Sequence, residues 1–143
     1  MKKIIVSVIM LLLVVSMSTV VFAGSDMQSS THTVYFGSGL TDVFSTASCT
    51  ISVDSSYVNI SNYTSTPYDY DVIMYEMELM KYENGSWTVK RTYSATAYNT
   101  DYLYGSRRVY VSAGSYKLRT YHYIYSPGDE DDTYTYTQSV TVP

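Results

Sequence analysis

Residues 109–125 read Val-Tyr-Val-Ser-Ala-Gly-Ser-Tyr-Lys-Leu-Arg-Thr-Tyr-His-Tyr-Ile-Tyr, and this stretch decides the fold. A run ending at Ser112 is broken by Ala113-Gly114-Ser115, after which Tyr116 to Tyr125 alternates with a period of two. That period belongs to a strand, whose successive side chains point to opposite faces. One face carries Tyr116, Leu118, His122 and Ile124; the other carries Lys117, Arg119, Tyr121, Tyr123 and Tyr125. Tyrosine suits such a surface because its ring packs on the sheet while its hydroxyl reaches water. The chain holds 18 tyrosines in 143 residues, so the rest should follow the same pattern.

Working outward, the turn-rich acidic segment Ser126 to Asp132 separates this strand from a last one, Tyr134 to Val142. On the other side, Arg107 to Ser112 reads as a strand and Tyr98 to Tyr104 as a short one. The clearest hairpin spans Tyr70 to Tyr93 around Glu83-Asn84-Gly85. A three-residue loop with Gly85 left-handed sets Leu79 opposite Val89, Tyr75 opposite Tyr93 and Glu78 opposite Lys90. That register gathers Ile73, Tyr75, Met77 and Leu79 on one face with Trp87, Val89 and Tyr93. A two-residue Asn84-Gly85 turn would instead set Met80 against Val89 and mix the apolar rows, so the first register is preferred. Val34 to Phe36 and Cys49 to Val53 form two shorter strands, with Ser55-Ser56 and Asn59 to Pro67 supplying turns. About seven or eight strands result, at the spacing of an all-β antiparallel sandwich.

The turn over Ala113-Gly114 followed by Tyr116 resembles the corner of immunoglobulin-like and fibronectin type III-like domains. The resemblance implies that the Tyr116 hydroxyl ties its strand to the preceding turn. The chain lacks the paired cysteines of antibody domains, and Trp87 stands outside the place of their core tryptophan. Gly114, Tyr116, Arg119, His122 and the threonine-rich run Thr133 to Thr141 also resemble a loose group of small exported proteins of unknown function, mostly from Gram-positive bacteria. Neither likeness brings an activity with it.

At the other end, Lys2-Lys3, an apolar run from Ile4 to Val15 and the small-residue end Val21-Phe22-Ala23 read as a signal peptide cleaved after Ala23. Residues 24–30 read as a flexible leader, and residues 31–143 as a single domain. Cleavage removes two of the nine basic residues and none of the thirteen acidic ones, leaving a net charge of −6. That sign argues against nucleic acid as a partner. The sole cysteine, Cys49, excludes an internal disulfide, so burial of apolar surface must carry stability.

Candidate sites are few. Asp129-Glu130-Asp131-Asp132, read as part of a turn, is a calcium candidate, although it lacks the alternating spacing of a dedicated calcium loop. His32, His122 and Cys49 have no zinc-motif spacing, so no metal or other cofactor is assigned. No G-x-S-x-G elbow and no nucleophile with a recognisable base occurs, and no paired carboxylates suggest acid and base roles. The N-x-S/T sequons at Asn59, Asn62 and Asn84 read as ordinary turn residues.

The functional lead is therefore the row Lys117, Arg119, Tyr121, Tyr123 and Tyr125, amphipathic rings beside cations that suit an extracellular glycan or protein. The competing reading is that these rings simply cover the sheet and pair with Tyr134 and Tyr136. The sequence points to a secreted, non-catalytic binding or envelope-associated module without stable membrane insertion after cleavage. The alternatives are a bacteriocin-like or toxin-like effector and a small secreted hydrolase.

Overall fold

The computed structural model describes residues 29–35, as backbone, and residues 43–143. The predicted signal peptide and residues 24–28 of the predicted leader lie outside the described residues. The described chain is all-β and antiparallel, with nine strands: β1 (Ser29–Tyr35), β2 (Thr46–Asp54), β3 (Tyr57–Tyr70), β4 (Val72–Glu83), β5 (Ser86–Ala97), β6 (Thr100–Tyr110), β7 (Gly114–Ser126), β8 (Asp129–Tyr136) and β9 (Val140–Val142). One sheet runs β1-β2-β3-β6 and the other β5-β4-β7-β8, with β9 continuing along β7 beyond β8. β1 opens at Ser29, opposite Ser52, two residues before the boundary read from sequence.

Short turns hold these strands in register. Asp54 pairs with Tyr57 around Ser55-Ser56, Glu83 with Ser86 around Asn84-Gly85, and Ser126 with Asp129 around Pro127-Gly128. Asn84 and Gly85 have φ of 52° and 82°, the pair of left-handed conformations that lets a two-residue turn follow the strand twist.

The period-two pattern sends one row of each strand inward. Cys49, Ile51, Val53, Val58 and Ile60 from the first sheet meet Tyr75, Met77, Leu79, Tyr116, Leu118, Val140 and Val142 from the second in one apolar cluster. A smaller cluster at the opposite end joins Val43, Phe44, Tyr70, Ile73 and Ile124. Between them the same inward rows turn polar, with Asn62, Thr64, Thr66, Thr120, His122 and Thr135 all buried. His122 spans this belt: its Nδ1 lies 2.6 Å from Thr64 Oγ1 on β3, and its Nε2 lies 2.9 Å from Thr135 Oγ1 on β8. Burial pushes the imidazole pKa down to about 4, because an interior with no carboxylate beside it disfavours the charged ring.

Several expectations are corrected here. The hairpin uses the two-residue turn, so Met80 faces Val89, and Lys90 is an extra residue that bulges out before Leu79 pairs with Arg91. The bulge resets the alternation: Met77 then faces Tyr93 and Tyr75 faces Ala95, while Trp87 and Val89 fall on the outward row. Asn59 to Pro67 is strand, not turn. Its Asn, Thr and Ser side chains alternate across the sheet, and Pro67 sits where the β3–β6 register breaks between Ser65 and Tyr70, so a missing N–H disrupts no regular ladder. Asn59 and Asn62 are accordingly strand residues, Asn62 being buried, and only Asn84 of the three sequon asparagines lies in a turn. The segments around Tyr98 to Tyr104 and Arg107 to Ser112 merge into β6, and the last strand divides into β8 and β9.

Candidate binding surface

The outward row of β7 sits in the middle of its sheet, flanked by β4 and β8. Lys117 lies opposite Met80, Arg119 opposite Glu78 and Tyr136, and Tyr121 opposite Glu76 and Tyr134. Tyr123 lies opposite Met74 and Asp132, and Tyr125 opposite Val72 and Glu130. The five residues singled out from sequence thus share one face, as their alternation requires. None lies in the apolar core: Tyr121 and Tyr123 are half-buried by their neighbours, and Tyr125 is 38% exposed.

The rings contact each other along and across the strands. Tyr121 and Tyr123 stack at 6.5 Å with 21° between planes, and Tyr134 and Tyr136 stack at 6.2 Å and 26°. Tyr121 joins the two rows through Tyr134, at 4.9 Å and 44°. Rings packed this way have lost much of their rotamer freedom before any ligand arrives, so less entropy remains to be lost on binding. At the hairpin end the face continues through Lys117, whose ammonium lies 4.6 Å from the centre of the Trp87 ring, and through the Trp87–Tyr82 pair at 5.3 Å. Sequence reasoning missed Trp87 here because the bulge that turns it outward leaves no mark in an apolar pattern, and it missed Tyr82, outward by the regular alternation of β4, because only the Trp87 register brings it to this face.

Charges on the face are fixed by partners. Arg119 forms an ion pair with Glu78, which holds the guanidinium more firmly protonated, and its charge lies 5.8 Å from the Tyr134 ring. The Tyr123 hydroxyl donates to Glu130 Oε1 at 3.0 Å. Burial, helped by the Asp132 carboxylate, pushes the Tyr121 pKa up to about 12, so this hydroxyl stays a neutral donor at physiological pH.

The acidic run lies elsewhere than expected. Asp129 to Asp132 opens β8, where alternation parts Asp129 and Asp131 from Glu130 and Asp132. Asp129 accepts the Tyr70 hydroxyl at 2.6 Å; burial raises that phenol's pKa, and this carboxylate raises it further. Among the described residues, no three His, Cys, Asp or Glu side chains converge as metal ligands. Cys49 is buried in β2, and His32 pairs with it by backbone register in β1.

A second set of tyrosines covers the outside of the other sheet. Tyr57 meets Tyr110 edge-on at 5.5 Å and Tyr63 stacks near Tyr102 at 6.4 Å, with Arg108 over Tyr57 at 4.3 Å and paired with Asp54 at 2.7 Å. These rings form separate pairs, whereas those on β7 and β8 form one connected group. No protein-family model matches the chain, and no curated protein shows significant similarity to it.

Proposed function

We propose that the chain is an exported, non-catalytic binding module of the immunoglobulin-like sandwich type, which holds an extracellular glycan against the outer face of β4, β7 and β8. The carrying observation is the connected tyrosine group of Tyr121, Tyr123, Tyr134 and Tyr136, bordered by Arg119 and Lys117. Sugar rings present apolar C–H faces and a rim of hydroxyls, and rigid phenols offer a complementary apolar body and polar tip. A glycan suits this face better than a protein because the rings are hydroxyl-tipped and Arg119 is already paired with Glu78, which favours a polar, wet interface.

The sandwich type is supported by strand neighbours. β3 beside β6, and β5-β4-β7-β8 in that order, follow the B–E and C′-C-F-G neighbours of immunoglobulin-like domains, with β2 as strand A and β1 added at the edge. The Tyr116 hydroxyl donates to the Ser112 carbonyl at 2.8 Å, the bond of a tyrosine corner at the start of strand F. Export rests on the leader: secreted protein should begin at Gly24 when its N-terminus is sequenced.

The binding reading is tested with Tyr121→Ala/Tyr123→Ala, assayed by retention on insoluble polysaccharides and by urea unfolding. Binding should fall at least about tenfold while the variant keeps a cooperative unfolding transition. Unchanged retention by the variant, or capture of proteins but no glycan by the native chain, refutes it.

A further inference from the structure

The inward row of β4 does not stop at the edge of the core. It continues from Leu79 to Lys81 and Glu83, at the end of the molecule where β6 turns into β7. There an open pocket of about 370 Å³ is lined by Lys81, Glu83, Lys90, Arg91, Ser112 and Tyr116, among others. Lys90 and Arg91 are adjacent in β5, and regular pleating would send them to opposite faces. The bulge at Lys90 suspends that alternation, and both residues line the same pocket. Three cations and one carboxylate therefore converge in a chain whose overall charge is negative.

Lys81 is held in place there. Its side chain is 15% exposed, its Nζ donates to Ser112 Oγ at 2.8 Å, and it lies 5.6 Å from the centre of the Tyr116 ring. Gly114, at φ 144°, makes room for the stem: a Cβ there would stand 2.6 Å from Lys81 Cε. Glu83 bridges the cations, one oxygen 3.6 Å from Lys81 Nζ and the other paired with Lys90. An internal carboxylate thus already uses the geometry that an oxyanion would need. It leaves Arg91 with no ion pair among the described residues and two positive charges uncompensated.

We infer that this pocket binds a small ligand through an oxyanion, a phosphate ester or a carboxylate, held by Lys81, Lys90 and Arg91 over the apolar floor of Leu79 and Tyr116. A guanidinium offers paired donors to such a group and the ammoniums add charge-assisted bonds. The site is separate from the tyrosine face, and its test is independent of the glycan reading.

The full mature chain is titrated with inorganic phosphate, glucose 6-phosphate and glucuronate at fixed ionic strength, followed by calorimetry and by NMR of labelled lysine and arginine side chains. Saturable binding that perturbs Lys81, Lys90 and Arg91 is expected. It should weaken at least tenfold in Lys90→Gln/Arg91→Gln, both partners being surface residues whose loss leaves the core intact. Glu83→Gln should tighten it, because the competing carboxylate is gone. Tighter binding of the ester identifies phosphate as the preferred group, and tighter binding of the acid identifies carboxylate. Equal perturbation by sodium chloride, retention of affinity in the double variant, or weaker binding in Glu83→Gln would each overturn the inference.

Discussion

His122 shows what one side chain can do when a strand carries it into a core. Neutral imidazole has one donor and one acceptor, and the threonine hydroxyls on β3 and β8 complement both, so the ring links the two sheets without a charge. In the unfolded chain it titrates near the ordinary value of about 6.5. Between that pH and about 4 the unfolded state binds a proton that the folded state refuses, so stability falls as the solution is acidified through this window and levels off below it. The loss amounts to about 3 kcal/mol at most. Urea midpoints measured from pH 7 to pH 4 should follow that slope, and His122→Gln should flatten it; an equal slope in the variant would assign the effect to the carboxylates. The position of His122 was legible in the alternation of residues 116–125, but its partner Thr64 was not. Thr64 sits in a segment rich in Asn, Ser, Thr and Pro, residues that favour turns as isolated chain and here line a polar belt.

At the scale of elements, the β4–β5 hairpin explains why sequence and structure part. Both registers considered for it respect local chemistry, and the apolar rows favour the one that does not form. The bulge removes that objection by letting the tip obey the Asn84-Gly85 turn while the base obeys the core. Because Met80–Val89 and Leu79–Arg91 are successive pairs on either side of Lys90, deleting Lys90 should leave the ladder in register. Unfolding free energy should change by no more than about 1 kcal/mol, as measured in urea, whereas inserting a residue at the same place should shift the pairing and cost more. A deletion that costs several kcal/mol would show the bulge to be structural. The break between β6 and β7 was easier to read because Gly114 interrupts the chain and Tyr116 restarts the pattern. The acidic run of β8 was not, since four carboxylates in sequence resemble a solvated loop until their tyrosine partners Tyr70 and Tyr123 are known.

For the whole molecule, the two sheets meet closely enough that one glycine is part of the contact. Gly105 on β6 faces the Tyr75 ring from β4; a Cβ there would overlap the phenol and come within 2.7 Å of Asn62 Oδ1. Gly105→Ala must therefore displace a ring that is buried on every side, at a cost of about 1–3 kcal/mol, readable as a lower urea midpoint. No change would mean that the sheets slide freely over one another. The all-β class was legible from period-two runs alone, while which sheet each strand joins was not, because pairings between β3 and β6 or β4 and β7 connect residues remote in sequence. The sole cysteine gains a use from this packing. Cys49 has no exposed surface, and burial raises its thiol pKa, so a reagent in solution reacts with it only when the sheets part. Its alkylation rate at a fixed pH is a clock for that opening, set by the fold without any added label.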